Sequence, residues 1–162
     1  MAVFISQQDD TLLGFSRWLG METDQFIRRT FETCRTIGVY GMSKNPDKPA
    51  HYVPLFLLSK GYTIIPINPH TDQIIGRRCY PHLRDVQEEI DTLEVFRPSE
   101  QVPAIMREAA ARRKEKGDIS VVWLQEGIQN PEAQRIAEDA GIVCIQDRCM
   151  QKEFKRVFAE RG

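Results

Sequence analysis

Short apolar runs recur along this chain, and each is followed by a stretch whose apolar positions fall at helical spacing. The runs cover residues 36–40, 63–67, 92–96, 119–124 and 142–145, and all are rich in Val and Ile. Short continuous apolar runs are the pattern of parallel strands buried on both faces. The intervening stretches predict helices over 51–60, 83–89, 100–116 and 131–140. Strand and helix in alternation predict βαβ units and an α/β, doubly wound parallel sheet of about five strands with flanking helices. Gly61, Gly117 and Gly141 stand where helices would end, and Asn130-Pro131 stands where one would begin. Pro54 removes an amide donor inside the first crossover helix, which predicts a late or irregular start for it. Ahead of the sheet, 24–34 reads as a helix with Phe26, Ile27, Thr30 and Phe31 on one face, and 150–158 reads as a closing helix. Phe15, Trp18 and Leu19 give residues 1–23 enough apolar surface to pack on the sheet or on a partner subunit. The expected organisation is an N-terminal helical extension over 1–34 and one domain over 35–162.

Composition narrows the function classes. With 162 residues, 41% hydrophobic and 28% charged, the chain has the make-up of a single globular domain. A formal net charge of −1 argues against a general nucleic-acid binder or a membrane-surface protein. Gln7, Gln8, Asp9 and Asp10 occupy the place where a secretory signal carries its apolar core, so a cytoplasmic protein is expected. Cys34, Cys79, Cys144 and Cys149 form no Cys-x-x-Cys pair and read as reduced, buried thiols. Cys149, beside Arg148, is the one candidate for a reactive thiol. His51, His70 and His82 are scattered, with no metal-ligand spacing and no nucleophile–base set, so neither a metal nor a catalytic residue is assigned.

The richest segment is Thr36-Ile37-Gly38-Val39-Tyr40-Gly41-Met42-Ser43 with the loop Lys44-Asn45-Pro46-Asp47-Lys48 behind it. A strand running into a glycine turn and then a helix is a place where a phosphate can be held by backbone amides and the helix dipole. Gly41, Met42, Ser43 and Lys44 offer amides, Ser43 a hydroxyl, and Lys44 and Lys48 charge. His51 and His70 each follow such a turn and are candidate phosphate or adenine contacts. The full Gly-x-Gly-x-x-Gly fingerprint is absent, and the second strand ends in neutral Asn68 where an NAD site wants an acid. Phe96-Arg97 ends the third main strand, and arginine suits a phosphate or an amide carbonyl, or simply a surface ion pair. Gln125, Gly127 and Ile128 follow the fourth; Gln125 could read an amide and Gly127 allows close approach. Asp147 and Arg148 read as a structural ion pair closing the fifth.

The ordered set is specific where its members are modest. Ile37–Ser43, Lys48-Pro49, Ile65-Pro66-Ile67-Asn68-Pro69, Cys79-Tyr80-Pro81, Val95-Phe96-Arg97, Trp123-Leu124-Gln125 with Gly127, and Asp147-Arg148-Cys149 together resemble the small single-domain CoA-binding proteins. These are Rossmann-like and related to the CoA-binding domain of the succinyl-CoA synthetase α subunit. The resemblance implies coenzyme A or an acyl-CoA as ligand, with its phosphates at Gly41–Lys44 near Lys48. It implies an adenosine end bordered by Asn68 and Pro69, and a pantetheine arm passing Phe96, Arg97 and Gln125–Gly127. The synthetase reaction uses a phosphorylated histidine on a further domain, so binding without intrinsic catalysis is expected. The expected partner is this small nucleotide ligand, with no nucleic acid and no membrane. A second copy of the chain and an acyl-CoA-using enzyme are the macromolecular partners left open. Two other readings stand beside it: an NAD(P)-linked oxidoreductase or redox sensor, and a ligand-free scaffold that associates through Phe15, Trp18 and Leu19.

Overall fold

A computed structural model describes residues 23–159; the readings of Phe15, Trp18 and Leu19 lie outside the described residues. Five parallel strands, β1 (Thr36–Tyr40), β2 (Thr63–Ile67), β5 (Thr92–Val95), β6 (Val121–Leu124) and β7 (Val143–Ile145), form one sheet in the order β2-β1-β5-β6-β7. The α/β doubly wound class read from the sequence is therefore the fold observed. A small antiparallel pair, β3 (Gln73–Ile74) and β4 (Arg77–Arg78), lies between β2 and β5 in the chain. The chain leaves β1 for β2 on one side and then crosses to β5 on the other, so β1 and β5 flank the topological switch point.

Side-chain alternation along the strands builds two cores. One face carries Ile37, Val39, Val121 and Trp123 against α1 (Thr23–Thr33), α2 (Pro49–Ser59) and α5 (Met150–Val157). The other carries Leu93, Val95, Val122 and Leu124 against α3 (Val102–Lys116) and α4 (Pro131–Ala140). Each large apolar side chain buried this way contributes roughly 1.5–3 kcal/mol. In the first core Phe31 meets Trp123 at 5.5 Å and the edge of Phe154 at 5.2 Å between ring centroids. Asp24 of α1 and Arg156 of α5 close the rim with paired 2.8 Å hydrogen bonds.

Two sequence expectations are corrected. Residues 83–89 are not a helix; a 3-10 turn covers Leu83–Asp85 and the chain then runs on to Ile90. The reason is Arg112, 6% exposed on α3. Its Nη1 donates to Leu83 O and Val86 O at 3.0 Å each, and its Nη2 donates to Glu88 O at 2.9 Å. Asp118 pairs with the same guanidinium at 3.0 Å and accepts the Ile90 amide at 3.0 Å. Carbonyls that a helix would return to its own amides are held by a side chain from another element.

The second correction concerns α2. It begins at Pro49, not late, and Pro54 sits inside it. A proline at this position leaves the carbonyl four residues earlier without its helical donor. That carbonyl, Ala50 O, accepts the Ser43 amide at 3.1 Å instead. The proline is thus accommodated by the glycine turn after β1. No helix among the described residues is long and apolar enough to cross a membrane.

Candidate functional site

At the carboxyl ends of the strands two neighbouring cavities share Arg97. The first, about 190 Å³, is lined by Tyr40, Gly41, Ile67, Asn68, Pro69, His70, Pro81, His82, Arg97 and Gln101. The second, about 320 Å³, is lined by Lys48, Pro49, Ala50, Phe96, Arg97, Pro98, Gln125, Glu126 and Ile128. Together they follow the ends of β2, β1, β5 and β6 across the switch point.

Gly41 makes the first turn possible. Its φ is +89°, and a Cβ there would lie 2.8 Å from Arg97 Cδ and 2.9 Å from Phe96 O. Only a residue without a side chain lets β5 deliver Arg97 across the end of β1. Arg97 Nε donates to Gln101 Oε1 at 3.0 Å, and its two terminal nitrogens have no acceptor among the described residues. A fixed guanidinium with unspent donors suits a phosphate or a carbonyl. No carboxylate lines the first cavity. In the second, Glu126 is occupied by Lys152 Nζ at 3.0 Å.

The amides of the turn divide into spent and unspent. Gly41 N donates to Ile67 O at 2.9 Å, and Ser43 N is held by Ala50. The Met42, Lys44 and Ala50 amides have no acceptor among the described residues. Ala50 lies in the first turn of α2, so its amide adds the favourable end of the helix dipole. The Ser43 hydroxyl accepts the Asn45 amide at 3.0 Å, and His51 Nδ1 donates to Ser43 O at 2.7 Å. Asn68 ties the corner together: its Nδ2 donates to Met42 O and its Oδ1 accepts the His70 amide, both at 2.8 Å.

Of the residues singled out in the sequence, Gly41, Asn68, Pro69, His70 and Arg97 line the first cavity. Lys48, Phe96, Arg97, Gln125 and Ile128 line the second. Met42, Ser43, Lys44, His51 and Gly127 line neither; the Met42 side chain is fully buried in the core. Gly127 donates its amide to Asp147 Oδ1 at 2.6 Å. This corrects the expected Asp147–Arg148 pair. Asp147 takes a left-handed backbone, φ +56°, which turns its carboxylate to Gly127, while Arg148 pairs with Glu153. Gln125 Oε1 accepts the Met150 amide at 3.4 Å, leaving the Nε2 donors for the cavity.

Tyr40, His82 and Gln101 were not singled out, yet they line the first cavity. Gln101 lies one helical turn beyond Arg97, a spacing visible in the sequence. His82 arrives through an isolated parallel bridge between Ile67 and Tyr80, which no local pattern announces. Burial, then the hydrogen bond to Glu108, pushes the Tyr40 hydroxyl up to about 12. It remains a neutral phenol.

A CoA binding domain family matches residues 35–155. The chain belongs to this family of CoA binding domains. It is 33% identical over 125 residues to the uncharacterized protein YneT of Bacillus subtilis, covering 77% of this chain and 89% of that protein. A solved structure from Thermus thermophilus, cell-free ID.343, superposes with a TM-score of 0.78 at 37% identity, covering 85% of this chain and 100% of that one. An ADP-forming acetate–CoA ligase II of Archaeoglobus fulgidus is 31% identical over 116 residues. That match spans 67% of this chain and only 17% of the ligase. As a CoA binding domain, this chain has coenzyme A as its ligand class. All four thiols of the domain are free and buried; burial pushes those of Cys34 and Cys144 up to about 12.

Proposed function

We propose that the two cavities form one groove for coenzyme A, and that the chain is a binding protein with no catalytic set of its own. The observation that carries this is Arg97, which is shared by both cavities and holds unspent donors where a phosphorylated ligand would cross the switch point. The phosphates lie over the unspent Met42, Lys44 and Ala50 amides, with Lys48 and Arg97 as counter-charges. Adenosine occupies the corner at Asn68, Pro69 and His70, where a cavity without carboxylates tolerates the ribose phosphate. The pantetheine arm passes Phe96 and Ile128, and Gln125 Nε2 donates to one of its carbonyls.

Asn68 supports CoA over NAD(P). Its amide is neutral and both ends brace the turn, to Met42 O and the His70 amide, where an NAD site presents a carboxylate to the ribose hydroxyls. A calorimetric panel of CoA, dephospho-CoA, NAD, NADP and ADP tests the reading. CoA should bind tightest, and Arg97→Ala should weaken it roughly 10–100-fold, since charge-assisted hydrogen bonds contribute about 1.5–3 kcal/mol. Preference for NAD or NADP, or a panel without binding, would overturn it.

A further inference from the structure

Glu94 has no evident reason to be where it is. It occupies the middle of β5, is 0% exposed, and neither carboxyl oxygen has a hydrogen-bond partner among the described residues. A buried, unpartnered carboxyl group is costly, and such groups concentrate at functional sites. Its register neighbours are Val39 on β1 and Trp123 on β6. Two residues further along each chain, on the same side by strand alternation, stand Gly41, Phe96 and Gln125. All three line the cavities described above. Glu94 therefore lies one layer, roughly 7 Å along the strand, beneath the groove.

No donor among the described residues is hydrogen-bonded to the Glu94 carboxyl. On that side of the sheet the titratable groups packed in the core are the buried thiols Cys34, Cys79 and Cys149, and Tyr62, whose hydroxyl donates to Phe31 O at 2.6 Å. Arg148 and Arg156 pair with Glu153, and Arg28 of α1 donates to Val157 O. Arg28 Nη1 and Arg148 Nε are buried without an acceptor among the described residues, and neither makes a hydrogen bond or ion pair with the Glu94 carboxyl. Burial alone pushes the Glu94 carboxyl up to about 8. Once ionised, the side chain gains most by moving toward water, and the groove is one layer above it.

We infer that Glu94 is a proton-operated prop beneath the groove: protonated, it stays under Phe96 and leaves the groove open to an anionic ligand; ionised, it moves toward the groove and opposes that ligand. The inference rests on the proposed CoA reading and adds its regulation. By linkage, a ligand that disfavours the ionised state holds the proton on, so ligand and proton binding reinforce each other.

The probe is S-methyl-coenzyme A, which has no thiol to ionise, titrated from pH 6.5 to 9 into the full chain. For the wild type the affinity should be flat to about pH 7.5 and fall roughly tenfold by pH 9, one pH unit past the carboxyl's value. Glu94→Gln, which cannot ionise, should show no such fall. Carboxyl-carbon NMR of labelled glutamate in the wild type covers the case in which the variant does not fold. The Glu94 resonance should titrate near pH 8 without ligand and higher with it. Equal falls in wild type and variant, or a Glu94 titration that ligand leaves unmoved, would overturn the inference and leave the CoA reading standing. Absence of S-methyl-coenzyme A binding at pH 7 would remove the reading and the inference together.

Discussion

At the scale of single residues, Gly41 and Arg97 are one device. The glycine's positive φ and missing Cβ admit the arginine stem, and the arginine spends one nitrogen on Gln101 and keeps the rest. Gly41→Ala should cost about 1–3 kcal/mol of stability through backbone strain and the 2.8 Å clash, and should also displace Arg97. Chemical denaturation checks the first effect and CoA titration the second. Arg97→Ala separates them: being an exposed substitution without an ion partner, it should leave the unfolding free energy within about 0.5 kcal/mol while weakening CoA. A loss of stability in Arg97→Ala comparable to Gly41→Ala would make the pair structural. The glycine turn and the arginine were legible because each is a local pattern. Glu94 carried a signal too, an acid inside a buried strand run, but the strand pattern absorbed it.

At the scale of elements, long-range side-chain contacts decide what local pattern cannot. Arg112 of α3 dictates the path of residues 83–90, so a helical pattern there gives way to an irregular segment. Arg112→Met should cost about 3–5 kcal/mol, because it strands Asp118 and three carbonyls inside the protein. Hydrogen exchange should quicken at Ile90 and Val86 before the sheet is affected. Slow exchange at both amides in the variant would show that the segment holds itself. Pro54 makes the complementary case in α2. Pro54→Ala supplies an amide that competes for Ala50 O, so the Ser43 amide should exchange faster than in the wild type. The strands were legible because burial on both faces selects Val and Ile. The β3–β4 pair was not, since two-residue strands joined through Ile75 at φ +49° carry no periodicity.

At the scale of the whole molecule, two carboxyl groups set opposite pH limits. Glu94, raised by burial, favours the folded state when protonated; that contribution is full below the ordinary glutamate value and is lost as pH rises toward about 8. For Glu153, burial acts to raise the carboxyl, but hydrogen bonds from Arg156 and Arg148 outweigh it and hold it below the usual value. Its contribution is present at neutral pH and lost as pH falls through the lowered value, loosening the α1–α5 rim. Thermal unfolding against pH should therefore show a decline from about pH 4.5 to about pH 8 that Glu94→Gln flattens, and a separate decline at lower pH that it leaves in place. A profile unchanged by the substitution would contradict the buried proton.

The central claim is that one groove across the β1–β5 switch point takes up coenzyme A, and a calorimetric titration of the full chain with CoA at pH 7 tests it most directly. The expected result is saturable one-to-one binding well below millimolar, weakened by Arg97→Ala. No detectable binding at about 1 mM, an affinity poorer than roughly −4 kcal/mol, would contradict it.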